Sequence, residues 1–299
     1  MPIPDAVPSA VGISDRLRCP GRLCAFAIGL LLLALPGPVG AADEELPSWL
    51  QDRGRGLPTS LFGSYIEKGE LLFYPFYEFT FDSDEEYSPD EFGFTGSGEF
   101  EGETTEHQAL VYFAYAPLDW LAFELEWAAY DHKKLEKDSA DLSALPANFT
   151  ESGPGDLEAQ LRWRWFEETE RRPEFYNFLE VIFPLYQSKE LIRASDWELA
   201  YGGGLIKGSR FGTFSARISL SFEEGHSVQF GEYAVEYLKR LSPAWRLYAG
   251  IEGEDDEVSL VPELQYFFRE DVYLKAGVGV GLTTKAADVA PEVGVLFSF

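Results

Sequence analysis

Charged residues recur at every second position in several segments of this chain. Glu124 and Glu126 are two apart, Glu158 leads into Arg162 and Arg164, and Ser215, Arg217 and Ser219 alternate with apolar neighbours. Two-residue spacing aims side chains at one face of a strand, so these residues build charged columns. Glu78, Glu124, Glu126, Glu158, Glu180, Glu198, Glu232, Glu236, Glu252 and Glu263 share that face with Arg162, Arg164, Arg217, Arg246 and Lys275. Carboxylates outnumber cations two to one. A water-filled lumen with such a lining favours cations, because charged rings in a confined space bias which ion passes. The alternative is a filled interior in which the charges pair with one another as struts.

Bond-making chemistry is poorly supplied. The histidines are His107, His132 and His226, and the residues two positions after them are Ala109, Lys134 and Val228. None places a serine on the same strand face, and His226 and Ser227 are adjacent and point oppositely. A lipid hydrolase is therefore the least favoured function, and no enzyme activity is expected. The stretch from Asp82 to Glu106 holds ten acidic residues and no Lys or Arg. Asp82, Asp84 and Glu86 have the alternating start of a calcium loop, but Tyr87 stands where the turn glycine belongs and Gly93 where the closing Glu belongs. No metal site, phosphate loop or cofactor is expected; a diffuse divalent-ion layer on this acidic stretch remains an option.

Strands must position these columns. Leu157, Ala159, Leu161, Trp163 and Trp165 oppose Asp156, Glu158, Gln160, Arg162 and Arg164; Phe214, Ala216, Ile218, Leu220 and Phe222 oppose Ser215, Arg217, Ser219 and Ser221. The period is two, and the polar face is too charged for a dry core. Twelve such segments are predicted: 69–82, 106–116, 120–131, 154–166, 175–186, 196–207, 213–224, 228–239, 245–253, 257–268, 272–282 and 289–299. Most have the length that a tilted strand needs to cross a bilayer, and an even count suits a closed barrel. The expected fold is all-β, a transmembrane antiparallel barrel of about twelve strands, with residues 69–299 as its domain. Short turns such as Leu241-Ser242-Pro243 and Arg269-Glu270-Asp271 alternate with stretches expected as long polar loops, 83–105 and 132–153. Trp120, Trp127, Trp163, Trp165, Trp197 and Trp245 fit an interfacial aromatic girdle.

Ahead of the strands, Arg16, Arg18 and Arg22 precede an apolar run from Cys24 to Leu35 and then small residues through Ala42. This reads as a signal peptide over 1–42, the run being too short to span about 30 Å of hydrocarbon comfortably. Both cysteines, Cys19 and Cys24, fall inside it. Its removal leaves 21 basic and 49 acidic residues, a net charge of −28. Such acidity excludes nucleic acid as a partner. Residues 43–68 show no clean period and form either a periplasmic extension or a plug.

Val293, Val295, Phe297 and Phe299 lie on one face of the last segment, which ends in an aromatic residue. This resembles the assembly signal of bacterial outer-membrane barrels, with Val295, Phe297 and Phe299 as the residues that the barrel-insertion machinery would recognise. Gly153-Pro154-Gly155-Asp156-Leu157, running on to Leu161-Arg162-Trp163-Arg164-Trp165-Phe166, resembles the loop-to-strand motif of barrels assigned to the phenol-degradation (MetA-pathway) transporters. Phe62-Gly63-Ser64-Tyr65 through Leu71, with Tyr74-Pro75-Phe76-Tyr77-Glu78, is similar to the opening strand of uncharacterised outer-membrane proteins. The resemblance implies an exported protein of the bacterial outer membrane, in contact with its lipid and lipopolysaccharide. It also implies an outer-membrane channel or small-solute transporter for small solutes or cations. A closed structural or surface-interaction barrel without conductance is the alternative.

Overall fold

A computed structural model describes residues 46–96, 98–185, 189–192, 197–223 and 228–299. The expected signal peptide and the pair His226-Ser227 lie outside the described residues.

Two short strands, β1 (Leu57–Pro58) and β2 (Tyr65–Ile66), precede β3 (Leu71–Tyr87), β4 (Phe100–Leu118), β5 (Leu121–Glu136), β6 (Asn148–Gly153) and β7 (Leu157–Phe166). They are followed by β8 (Glu174–Phe183), β9 (Glu198–Ser209), β10 (Gly212–Glu223) and β11 (Gln229–Ser242). The last are β12 (Trp245–Glu254), β13 (Glu257–Arg269), β14 (Val272–Gly281) and β15 (Val289–Ser298). All twelve long strands pair antiparallel with their neighbours, and β15 returns to β3 with Phe297 opposite Phe73 and Glu292 opposite Glu78. Leu71 and Phe299 exchange two backbone hydrogen bonds of 3.0 Å at that seam. The sheet is a closed transmembrane barrel. Closure is what hydrocarbon demands, since an open edge would leave peptide groups without partners.

The alternation decides which way each residue faces. Phe123, Ile218 and Val235 are half or more exposed on the outer surface, while Ala122, Ala234 and Tyr248 on the inner face are buried. An apolar exterior around a polar interior inverts a soluble protein and matches lipid outside. Of the aromatic girdle, Trp120, Trp127, Trp165, Trp197 and Trp245 are all exposed. The described residues contain no helix long and apolar enough to cross a membrane.

One expectation fails. About half of each of the stretches 83–105 and 132–153 is strand: β3, β4 and β5 run for 17, 19 and 16 residues. At about 3.3 Å per residue they outreach the bilayer. The charged composition that reads as loop is accommodated by cross-strand pairing, Lys133 meeting Glu85 at 3.0 Å and Thr104 donating to Glu85 at 3.1 Å. Beyond them Tyr87, Leu135 and Leu145 bury a small core against Phe92, Phe94, Phe100 and Phe149. β6 adds to the outer end of β5, from Asp131 opposite Gly153 to Glu136 opposite Asn148. The loop left between β5 and β6, residues 137–147, is held by Ser143, whose N–H and hydroxyl donate to Asp141 at 2.7 and 3.0 Å.

Within β5 the register shifts. Ala109 of β4 opposes Tyr130 but Leu110 opposes Ala128, leaving Ala129 as an extra residue. A bulge of one residue exchanges the faces of everything after it. Glu124 and Glu126 therefore face inward before the bulge, and Asp131, Lys133 and Leu135 after it.

Candidate functional site

The lumen is the site, and its cations concentrate toward the short-turn end. Arg162 is buried, with Nε donating to Glu124 at 3.0 Å and its guanidinium 5.1 Å from the Tyr176 ring and 5.2 Å from that of Phe178. One strand repeat nearer the turns, Arg164 donates to Glu174 at 3.0 Å and to the Gly56 carbonyl at 2.6 Å. Arg217 reaches Glu236 at 2.8 Å, Glu232 at 3.4 Å and Glu252 at 3.8 Å. Lys275 lies 3.4 Å from Glu263, which also accepts from Gln265 at 2.9 Å. Arg246 stacks over Phe267 at 4.5 Å, and its Nε has no hydrogen-bond partner among the described residues.

The remaining carboxylates face the other way along the axis. Among the described residues no Lys or Arg lies within ion-pair distance of Glu78, Glu126 or Glu158. Glu180 accepts from Gln160 and Glu198 from Ser221. Glu78, Glu126, Glu158, Glu180, Glu232 and Glu292 line one cavity of about 200 Å³ together with Arg162, Arg217 and Lys275, and its floor is Ser60, Leu61 and Phe62.

That floor belongs to residues 46–68, which enter the barrel from the short-turn end. Asp52 accepts from the Arg240 N–H at 2.9 Å and from Lys239 at 3.2 Å. Arg53 donates to Glu174 at 2.7 Å and to Glu168 at 3.1 Å, all three side chains being buried. The chain turns through β1 and β2, so close that a Cβ on Gly56 would stand 2.7 Å from the Ile66 backbone. At the tip, Ser60 donates both N–H and hydroxyl to one Glu124 oxygen, at 2.7 and 2.6 Å, and Tyr112 donates to the same atom at 2.7 Å. The Phe62 carbonyl accepts from Lys275 at 2.9 Å, its ring stacks on Tyr248, and Arg217 lies 5.0 Å above it. Ser64 and Tyr273 hydroxyls are 3.1 Å apart. Below the tip, Arg53, Arg164, Glu167, Glu174, Lys68 and Asp119 line a second cavity of about 550 Å³.

Every predicted lumen residue stands on an inward strand position, and the structure divides them. Glu124, Arg162, Arg164, Arg217, Glu236, Glu263 and Lys275 hold the segment 46–68 or its immediate neighbours, and Arg246 lies against Phe267 at the same end. Glu78, Glu126, Glu158, Glu180, Glu198, Glu232 and Glu252 surround the space above it. Sequence reasoning missed Glu292, which accepts a hydrogen bond from Tyr74, although its inward parity was readable from Val293 and Val295. It also missed Asp52, Arg53 and Ser60, because a segment without period gives no face. Glu168 and Glu174 sit in and beside a turn, and no signal marks them as partners of Arg53.

No family model matches the chain, and no curated protein matches it in sequence. Solved structures do match in fold. An outer membrane channel from Pseudomonas putida F1 is 14% identical, with 81% of this chain aligned to 99% of that one at a TM-score of 0.58. The KdgM porin in complex with oligogalacturonate is 8% identical over 77% of this chain and 99% of that one, at a TM-score of 0.45. The first likeness establishes the fold: a barrel of the outer-membrane type.

Proposed function

We propose that the protein is an outer-membrane channel or transporter for small solutes, with a carboxylate vestibule that favours cations and a lumen closed at rest by residues 46–68. In this reading the short turns face the periplasm and the extended β3–β6 sheet faces the exterior. The observation that carries it is how the segment is held. Ser60 and Phe62 are fixed by hydrogen bonds to the buried charged wall side chains Glu124 and Lys275, Ser64 by the Tyr273 hydroxyl, and Asp52 by the Arg240 N–H and the Lys239 ammonium. Polar contacts of this kind exchange readily for water, whereas an apolar plug would be a permanent core. The vestibule carboxylates raise the local concentration of cations at the outer face of the closure.

Planar-bilayer recording of the folded protein tests this. The wild type should show brief, rare openings with cation preference, and Arg53→Ala should lengthen them by loosening the segment. Absence of any discrete conductance in both proteins, across salts, would overturn the channel reading and leave a closed structural barrel.

A further inference from the structure

Two of the chain's three histidines meet on the outer surface of the barrel, 25 residues apart in sequence. His107 of β4 stands directly opposite His132 of β5. The bulge at Ala129 brings this about, since without it His132 would point into the lumen with Glu124 and Glu126. The two rings lie 6.2 Å apart between centroids, inclined by 28°. His107 is held from the far side: Tyr77 Oη lies 2.6 Å from its Nδ1, and the Phe79 ring packs at 4.9 Å.

This is the arrangement that a metal-binding imidazole requires. When Nδ1–H donates to the Tyr77 oxygen, Nε2 keeps its lone pair, and the ring orientation is fixed by a partner outside the coordination sphere. Directly opposed residues of an antiparallel pair have Cβ atoms about 5 Å apart. With metal–nitrogen bonds of about 2.1 Å, a tetrahedral ion needs ring centroids about 5 Å apart, a side-chain rotation from the observed separation. The local charge does not oppose a cation. Lys134, two residues farther along the same face, pairs with Glu136, and Lys133 is turned inward to Glu85 and Glu106.

We propose that His107 and His132, with Tyr77 as a positioning residue, form a two-imidazole site for a divalent ion of the zinc and copper class, water completing the coordination. Neutral imidazole selects these ions over calcium and magnesium, which prefer oxygen. The ion clamps β4 to β5 beside the bulge. It is separate from the lumen and its carboxylates.

Titration of the folded protein in detergent with Zn²⁺ by calorimetry, and with Cu²⁺ by electron paramagnetic resonance, provides the test. Wild type binds one ion with a two-nitrogen copper signature. His107→Ala and His132→Ala each weaken binding about tenfold or more, and Tyr77→Phe weakens it by a smaller factor. Glu126→Gln with Glu158→Gln leaves it unchanged. No saturable single-ion binding by wild type, or affinity retained within about twofold in both histidine variants, overturns the site. Heat-modifiable migration on gels confirms that each variant is folded, as expected for surface positions.

Discussion

The two halves of the lumen solve opposite electrostatic problems. Toward the short turns every described inward cation except Arg246 and the Arg240 opposite it has a carboxylate partner, and the segment 46–68 completes the network through Arg53, Ser60 and the Gly56 carbonyl. Toward the long loops, Glu78, Glu126 and Glu158 have no Lys or Arg within ion-pair distance among the described residues, although Arg162, Arg217 and Lys275 line the same cavity and are paired with other carboxylates. Carboxylates crowded without counter-charge destabilise the folded state, whereas paired buried charges become costly only when one partner is lost. The first half therefore holds the structure together, and the second is suited to attracting something from outside. Substitutions should sort the same way, by stability in one half and by selectivity in the other.

The largest effect is expected at Arg162. Arg162→Ala strands Glu124 in a buried site, although Ser60 and Tyr112 still donate to it, and the loss of a buried partner costs about 3–5 kcal/mol. Urea unfolding in lipid vesicles should show that loss. A change under about 1 kcal/mol would mean that water already reaches Glu124 and that the two halves are not distinct.

Arg53→Ala comes next. It removes the shared donor of Glu168 and Glu174, but Lys207 still reaches Glu168 at 3.0 Å and Arg164 still reaches Glu174 at 3.0 Å. The global cost should therefore be smaller, about 1–3 kcal/mol, with the main consequence in the docking of 46–68. Limited proteolysis between Leu46 and Lys68 should accelerate in this variant. Protection equal to wild type would show that the hairpin tip, and not Arg53, anchors the segment.

In the other half, Glu126→Gln together with Glu158→Gln should leave stability unchanged or slightly raised, because like charges are removed and no pair is broken. Reversal potentials under a salt gradient should move toward zero. Unchanged selectivity would take these residues out of the permeation path and weaken the contrast from its outer side.

Much of this contrast is legible in the sequence. Period-two alternation located all twelve wall strands and put Arg162, Arg217 and Lys275 inside, because lipid outside and water inside leave each residue only one acceptable face. Two things were not legible. The extended ends of β3, β4 and β5 carry Glu85, Glu101 and Lys133, a composition that reads as solvated loop until the strands pair and Tyr87, Leu135 and Phe149 close over them. The bulge at Ala129 also escaped, since parity reasoning presumes an unbroken register, and with it the meeting of His107 and His132. Docking of 46–68 depends on shape. Gly208, for example, lets the Trp49 carbonyl approach so closely that a Cβ there would lie 1.7 Å from its oxygen.

The smallest predicted effect probes that shape complementarity directly. Gly63 sits at the tip of the segment with φ +64°, and a Cβ there would meet Gln265 Nε2 at 2.9 Å and the Leu238 and Tyr248 side chains at 3.2 Å. An alanine in this backbone conformation costs about 1–2 kcal/mol. The cost falls on the docked hairpin alone, because Gly63 belongs to no wall strand. Gly63→Ala should therefore leave urea unfolding of the barrel nearly unchanged while raising proteolytic access to 46–68 and the frequency of openings. If unfolding shifts by the full amount instead, the segment folds as one unit with the wall, and the paired half is core and not closure.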